Sequence, residues 1–389
     1  MLKGKSPIFQ TKNVLMLSSG HFVQDAFAVF LAPFLPLLIS KFGLSMVLAG
    51  FLTVALRLPG LLSPIFGYIS DFVDVRIMVV VTPAATAIAM SLLGVAPNYT
   101  IVCLLLGFAG ISSTLFHTIG PVMVAHVSGS DLGRGMSYWM TGAELARTIA
   151  PLIAVSVVSI LGFEGSYPVM LIGIFASLLL YINLKNLQLP SSRKNARSMG
   201  KIWHMLRRIM VPLITLLFCR AFLITSFTAF LPTYMVSLGK TLWLGGAMLA
   251  LFELAGIAGA LFGGTISDRI GRRTILKITI PLSSILMLTF IYFSGWIKFP
   301  LVMLLGVSAF SIMPVNMAIL YDFCEENRGA ANGFFMTVNF ASTAIVTLFV
   351  GWLADLTGFR MAFTVNAILG FLCVAAVFLI PPIRKEVDE

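Results

Sequence analysis

Apolar segments of about 20 residues recur along the whole chain, and this recurrence restricts the possible folds more than any other feature of the sequence. A helix of that length crosses a hydrocarbon core of about 30 Å. Because 59% of the residues are hydrophobic and only 11% are charged, an ordinary soluble domain is excluded. We predict an all-α membrane protein with twelve transmembrane helices, at residues 13–40, 46–70, 77–96, 99–125, 136–162, 166–187, 211–237, 243–266, 274–295, 299–321, 330–354 and 360–380.

The net charge of +11 could indicate a nucleic-acid partner, but the positions of the basic residues favour a topology signal. If both termini are cytoplasmic, 19 of the 26 basic residues are cytoplasmic and three lie within spans. The four on the outer side are Lys41, Lys240, Lys298 and Arg360. This asymmetry follows the positive-inside rule. We therefore expect a multi-pass protein of the inner (plasma) membrane, with both termini cytoplasmic, the lipid bilayer as its surroundings and no nucleic-acid partner.

The sequence offers little for cofactor or enzyme chemistry. The four cysteines are scattered singly, and no metal-ligand spacing accompanies them. No nucleotide-binding signature such as GxxxxGK[ST] is present. We therefore expect no metal, no cofactor and no enzyme activity. A membrane enzyme, a signalling receptor or a channel is a less favoured alternative.

The chain divides into two similar halves. A stretch rich in basic residues, with a proline and several serines, separates them and reads as a cytoplasmic linker. The sequence "FLPLLISKFGLS" from Phe34 matches "FLPTYMVSLGKT" from Phe230, and "GYISDFVDVR" from Gly67 matches "GTISDRIGRR" from Gly264. The nearly constant offset indicates duplication. We predict two pseudo-symmetric six-helix bundles, at residues 1–187 and 210–389, joined by a linker at 188–209.

The segment "GGTISDRIGRR", residues 263–273, resembles the signature of the major facilitator superfamily of transporters. Glycine permits a tight turn there, and Asp268 can accept hydrogen bonds from the positive end of a neighbouring helix. The alternative is that the arginines only anchor the loop in the cytoplasm. The first-half copy has Phe72 and Asp74 where the pattern has a basic residue and glycine. The resemblance implies gating roles for Gly67, Asp71, Gly264, Asp268, Arg269 and Arg272.

Three further segments resemble the fosmidomycin resistance protein branch of drug exporters. They are "GHFVQDAF" at 20–27, "FHTIGPV" at 116–122 and "GAELARTIAPL" at 142–152. A third segment similar to the signature, "GWLADLTGFR" from Gly351, falls on the outer face of the predicted topology. We interpret it as an ordinary interfacial turn.

Ionisable side chains form one layer near the middle of the predicted membrane. An ionisable group at this depth is costly and faces protein or water. The resemblance implies that spans 1, 2, 4, 5, 7, 8, 10 and 11 line a central cavity, and the interiors of spans 3, 6, 9 and 12 carry no charge. We therefore predict a polar substrate cavity between the two halves. The charged layer comprises His21, Asp25, Arg57, His117, Glu144, Arg147, Arg220 and Glu253.

Asp25 is the predicted proton carrier. His21 lies four residues before it and shares its helix face, so it is either a coupled partner or an orienting donor. Glu253 is the third candidate for proton coupling. The alternative for Asp25 is a hydrogen bond between helices that only fixes their packing.

Three arginines at this depth predict an anionic group on the substrate, because guanidinium suits carboxylate, phosphate or phosphonate. The alternative is that Glu144 neutralises Arg147, with Asp25 or Glu253 neutralising the others. Arg57 and Arg220 have no carboxylate three or four residues away, so they rank first. The predicted substrate-binding residues are Arg57, Arg220, Arg147, Gln24, His117 and Glu144.

These predictions together describe a monomeric secondary transporter that works by alternating access. It would exchange protons for a small amphipathic or anionic organic molecule and export that molecule. The alternative is a proton symporter, or an exchanger, that takes up an organic anion.

Overall fold

A computed structural model of the chain describes residues 9–63, 65–66, 75–129, 132–185, 187, 209–323 and 328–380. Within these ranges it contains helices and no strand. Eleven of the described helical segments are long and apolar enough to cross a membrane, and one shorter apolar helix accompanies them. The predicted twelve-helix fold is confirmed. In chain order, spans 1 to 12 are Thr11–Phe42, Met46–Leu62, Arg76–Val95, Tyr99–Ser128, Tyr138–Leu161, Glu164–Leu184, Met210–Ser237, Leu242–Ser267, Arg272–Tyr292, Gly295–Leu320, Phe335–Thr357 and Phe359–Phe378.

Prolines account for the interruptions within spans 1 and 10. Span 1 consists of two α-helices, Thr11–Val29 and Leu31–Phe42, and span 10 is interrupted between Phe310 and Ile312. Proline has no N–H to donate to the carbonyl four residues earlier. Pro33 therefore cannot donate the usual helical hydrogen bond to the carbonyl of Val29, and Pro314 cannot donate one to the carbonyl of Phe310.

Span 2 changes helix type along its length. Its α-helix, Met46–Arg57, passes into a 3-10 turn, Leu58–Leu62, with a proline at the beginning of that turn. The predicted end of the span, at residue 70, lies outside the described residues.

Span 7 contains a π-helical turn. The turn, Ala221–Thr225, lies between the α-helices Met210–Arg220 and Ser226–Ser237 and begins directly after Arg220. Such turns insert one extra residue into a helix and occur frequently at functional sites.

A glycine in the left-handed region joins spans 8 and 9. Gly271 has φ of 91° and separates the α-helices Leu242–Ile270 and Arg272–Tyr292. A side chain at this φ would be strained, so the signature loop needs glycine at this position. The signature's role in making a tight turn is thereby confirmed.

The chain folds as two compact units. Unit 1 comprises Met1–Phe42 and Ala55–Lys194, and unit 2 comprises Gly43–Val54 and Asn195–Glu389. The first half of span 2 therefore packs with the second half of the sequence. The domain boundaries at 187 and 210 stay a prediction, because residues 188–208 of the linker lie outside the described residues.

Each unit has its own apolar core. In unit 1, Leu17 of span 1, Phe116 of span 4 and Trp139 of span 5 belong to one buried cluster. In unit 2, the ring of Phe227 packs against those of Phe252, Phe290 and Phe363. The core of unit 1 directly adjoins the candidate site.

Candidate functional site

In unit 1, one carboxylate lies between two imidazoles. Asp25 and His21 come from span 1, and His117 comes from span 4. The His117 Nε2 lies 3.0 Å from Asp25 Oδ1, and the His21 Nε2 lies 3.5 Å from Asp25 Oδ2. The spacing of four residues predicted the contact between His21 and Asp25, and the structure adds His117 to this pair. The ligating atoms of the three residues lie within 4.8 Å of one another, close enough to share one proton or one small cation.

The cluster has a buried end and an accessible end. His21 is 2% exposed and Asp25 is 7% exposed, whereas the side chain of His117 is 43% exposed. Burying a carboxylate is unfavourable unless hydrogen-bond donors compensate. Here the two groups that face the carboxylate are imidazoles, and each can donate from Nε2 only when that nitrogen carries a hydrogen. His117 is therefore the member of the cluster that is accessible from outside the unit.

The orientation of His21 is fixed by Trp139. The His21 Nδ1 lies 2.9 Å from the Trp139 carbonyl oxygen. Because a carbonyl oxygen only accepts, Nδ1 must carry a hydrogen and donate it. In neutral His21, the Nε2 lone pair would then face Asp25.

Aromatic packing holds the His21 ring in place. The indole of Trp139 stacks on the imidazole with ring centroids 3.9 Å apart and planes inclined by 27°. The indole of Trp139 also stacks with the ring of Phe116, with ring centroids 5.2 Å apart. Gly120 leaves the space that the indole occupies, since a Cβ there would lie 2.2 Å from the ring. The imidazole therefore has little freedom to turn away from Asp25.

Spans 1 and 5 approach each other closely beside this cluster. A Cβ added at Gly142 would lie 2.4 Å from the backbone oxygen of Ser18. Small residues allow such contact between membrane helices. The approach fixes the position of span 5, and with it the Trp139 carbonyl, relative to His21.

Gln24 belongs to a separate buried network. Its Nε2 donates to Thr86 at 2.7 Å, Thr86 donates to Ser112 at 2.9 Å, and Ser112 donates to the carbonyl of Thr82 at 2.9 Å. These bonds join spans 1, 3 and 4. They give Gln24 a structural role, and its contact with substrate stays a prediction.

Glu144 and Arg147 form the ion pair expected from their spacing on span 5. The Arg147 Nη2 contacts Glu144 Oε1, and the two side chains are 35% and 23% exposed. This pairing favours the alternative in which Glu144 neutralises Arg147. Arg57 lies in unit 1 and is exposed. Its role in binding an anion stays a prediction.

The charged candidates of unit 2 lie on spans 7 and 8. The Arg220 Nη1 donates to Asn339 Oδ1 of span 11 at 3.0 Å. Glu253 is only 6% exposed. Asn339 was missed by the sequence analysis, because an uncharged residue gives no signal of depth. The polar substrate cavity between the two halves stays a prediction.

Known proteins resemble this chain along its whole length. The family model described as Major Facilitator Superfamily matches residues 17–318 and 299–389. The chain belongs to the major facilitator superfamily. Its fold and family are those of membrane transporters, so the protein is a membrane transporter.

The relatives also support the narrower resemblance within the superfamily. The chain is 24% identical to the fosmidomycin resistance protein of Escherichia coli (strain K12) over 378 residues, covering 93% of this chain and 91% of that protein. It is 22% identical to the multidrug resistance protein MdtG of Proteus mirabilis (strain HI4320), covering 92% and 93%. A solved structure of a bacterial homologue of the human lysosomal transporter Spinster is 11% identical, with a TM-score of 0.82 and coverage of 98% and 99%.

The superfamily signature of the second half forms an ion pair with the helix Ile312–Phe323, which continues beyond the end of span 10. The Arg272 Nε lies 2.5 Å from Asp322 Oδ2, and Nη2 lies 3.4 Å from Oδ1. Two guanidinium contacts to one carboxylate fix the orientation of the two side chains relative to each other. Arg272 also donates to Ser267 at 3.3 Å. Asp322 was missed because no sequence spacing relates it to Arg272.

The other predicted gating residues are placed only in part. Gly264 lies inside the helix Leu242–Ile270, and Arg269 is exposed near its end. Gly67 and Asp71 lie outside the described residues, and so does the side chain of Asp268. Gating by these residues stays a prediction.

Asp355 has a role that the sequence analysis did not assign. Its carboxylate accepts hydrogen bonds from the backbone N–H groups of Met46 and Val47, at 2.5 and 2.8 Å. Met46 begins the α-helix of span 2, and this end of the helix belongs to unit 2, as Asp355 does. An acidic side chain at a helix N-terminus satisfies free N–H groups and complements the helix dipole. The segment "GWLADLTGFR" therefore contains the turn between spans 11 and 12 at Gly358 and, in addition, supplies a helix cap through Asp355.

Proposed function

We propose that this superfamily member is a secondary active transporter that works by alternating access and exports a small amphipathic or anionic organic molecule in exchange for protons. One observation carries the proposal: Asp25 lies buried between His21 and His117, of which His117 is accessible. Drug-resistance proteins among its relatives support the direction of transport.

Proton coupling follows from what one proton does to this cluster. Gain or loss of a proton changes the charge of a buried group by one unit, and such a change is energetically large in a site shielded from water. A conformation that keeps Asp25 buried therefore differs in proton affinity from one that exposes it. This difference links proton movement to a conformational exchange.

The substrate's anionic group would contact Arg57 and Arg220. Arg147 ranks below them because Glu144 already pairs with it. Arg220 presents its guanidinium beside Asn339, directly before the π-helical turn of span 7. Guanidinium binds phosphate, phosphonate or carboxylate through two parallel hydrogen bonds.

The sign of a pH change inside proteoliposomes tests this proposal. Vesicles would contain the purified protein, a trapped pH-sensitive dye and fosmidomycin, which we choose because a relative bears its name. On dilution into drug-free buffer, proton exchange predicts that drug efflux acidifies the lumen. Symport predicts that drug efflux makes the lumen alkaline, which favours the uptake alternative. Drug efflux without any pH change refutes proton coupling and leaves an anion exchanger.

A further inference from the structure

Three of the four basic residues that the positive-inside rule places outside meet in one cavity. Lys240, Lys298 and Arg360 line a cavity of about 580 Å³ in unit 2, at the ends of spans 7 to 10 and 12. The fourth, Lys41, lies in unit 1, where it contacts Glu164 at 2.9 Å and donates to the carbonyl of Gly94 at 2.6 Å. The outer positive charge is therefore concentrated in unit 2.

No carboxylate among the described residues lining this cavity balances the three cations. The walls contain aromatic side chains instead, including Tyr234, Tyr292, Trp296 and Phe299. A positively charged cavity with apolar walls is complementary to a molecule that has an anionic and an apolar part.

Aromatic rings hold two of the cations. The Lys298 ammonium lies 4.6 Å from the ring centroid of Phe290 and 5.3 Å from that of Tyr234. The Arg360 guanidinium lies 4.4 Å from the ring centroid of Tyr292. Cation–π contact orients a cation without cancelling its charge. Both cations therefore remain able to attract an anion.

Lys298 is the residue for which a ligand matters most. It is only 7% exposed and lines the cavity. A buried ammonium ion is costly unless an opposite charge compensates for it. An anion in the cavity would supply that charge, while the exposed Lys240 and Arg360 would contact the same anion from the rim.

We propose that this cavity binds the phosphate-type head group of an anionic amphiphile. Phosphate oxygens accept charge-assisted hydrogen bonds from ammonium and guanidinium groups. The apolar part would pack against the aromatic walls near Trp296, which is 85% exposed. Exposed tryptophan is typical of the interface between membrane and water.

Two sources can supply this chemistry: an anionic phospholipid of the outer leaflet, and a free organic phosphate or phosphonate. The site lies wholly in unit 2 and uses none of the residues proposed for proton coupling or substrate binding. Its test is therefore independent of the proposed export function.

Binding of short-chain probes to the full-length purified protein tests the site. The probes are dihexanoyl phosphatidylglycerol, its phosphatidylcholine counterpart with no net charge, and hexyl phosphate. We expect saturable binding of an anionic probe, weakened about tenfold or more by Lys240→Gln and by Arg360→Gln, since each removes a charge-assisted hydrogen bond. Lys41→Gln is the matched control, because it removes an outer cation that does not line the cavity, and it should leave binding unchanged.

The probes also distinguish the two sources. Much tighter binding of phosphatidylglycerol than of hexyl phosphate indicates a lipid, and similar binding of both indicates that the head group of a free solute suffices. Failure of both anionic probes to saturate overturns the proposal. Equal binding of the phosphatidylcholine probe, or equal weakening by Lys41→Gln, overturns it as well. Lys298→Met adds a test at the buried position, and the two exposed variants decide the matter if that variant does not fold.

Discussion

Asp25 shows how much a single position in the chain can depend on its neighbours. Its depth in span 1 and its spacing from His21 are readable from the sequence. The contact with His117 is not, because it depends on the rotation of span 4 against span 1. The tautomer of His21 is also hidden, because a backbone carbonyl at Trp139 fixes it. Sequence patterns report the residues on one helix face, whereas tertiary packing decides which faces meet.

Replacing His117 should uncouple proton movement from drug transport without unfolding the protein. His117→Gln keeps a polar side chain but removes the imidazole that we propose as the proton route to Asp25. We expect drug-driven acidification of the vesicle lumen to fall about tenfold or more, in line with loss of a general acid–base group. The dye assay in proteoliposomes measures this change.

His126 provides the control for that measurement, because it is another histidine of the same span outside the cluster. His126→Gln should leave the rate of acidification within about twofold of the wild-type rate, as expected for a residue with no proton-transfer role. Equal rates for both variants would exclude His117 from the proton route.

Arg57 should determine affinity for the charged part of the substrate. For Arg57→Gln we expect binding of an anionic substrate to weaken about tenfold or more, because a hydrogen bond to a charged group is lost. Binding of a neutral analogue should change little, so the ratio of the two dissociation constants is the informative quantity. Arg76→Gln is the control, since Arg76 bonds to the carbonyl of Lys185 at the ends of spans 3 and 6. Equal weakening for both ligands would contradict a role in charge recognition.

At the scale of helices, the sequence revealed the number of spans but few of their irregularities. The interruptions in spans 1 and 10 follow from Pro33 and Pro314, so they are readable in retrospect. The π-helical turn Ala221–Thr225 has no such signal, because no residue type specifies it. Its position after Arg220 emerges only from the packing of span 7.

The cap that Asp355 provides for span 2 should contribute measurably to stability. Asp355→Ala leaves two backbone N–H groups at Met46 and Val47 without their acceptor, so we expect a loss of about 0.5–2 kcal/mol, the usual range for caps. Thermal unfolding in detergent should show a lower midpoint. Glu164→Ala is a suitable comparison, since its side chain is 74% exposed and surface ion pairs contribute little. Equal midpoints for both variants would contradict the cap.

The close approach of spans 1 and 5 should tolerate no added methyl group. Gly142→Ala places a Cβ against the Ser18 carbonyl, and overpacking of this kind costs about 1–3 kcal/mol. Gly107→Ala is the matched control, because a Cβ there meets nothing within 4 Å. Thermal unfolding should show a lower midpoint for the first variant and an unchanged or higher midpoint for the second. A lower midpoint in both variants would mean that helix packing is not the cause.

At the scale of the whole molecule, duplication and the signature segment identified the superfamily from sequence alone. The two matched segment pairs and the residues around Asp268 sufficed for that. The packing of Gly43–Val54 with unit 2 could not be foreseen, because the duplication predicts that each half packs only with itself. The pair of Arg272 with Asp322 was hidden for a related reason. In each case, tertiary packing brings together two segments that are far apart in the sequence.

Transport by Asp25→Asn tests most directly whether the buried cluster couples protons to substrate movement. Asparagine keeps the size of aspartate but takes up no proton, so the two transport modes should separate. Counterflow, which exchanges labelled for unlabelled substrate without a pH gradient, should persist because it needs no net proton movement. Substrate accumulation driven by a pH gradient should be lost in the same vesicles. Gradient-driven accumulation at the wild-type level would contradict proton coupling through Asp25.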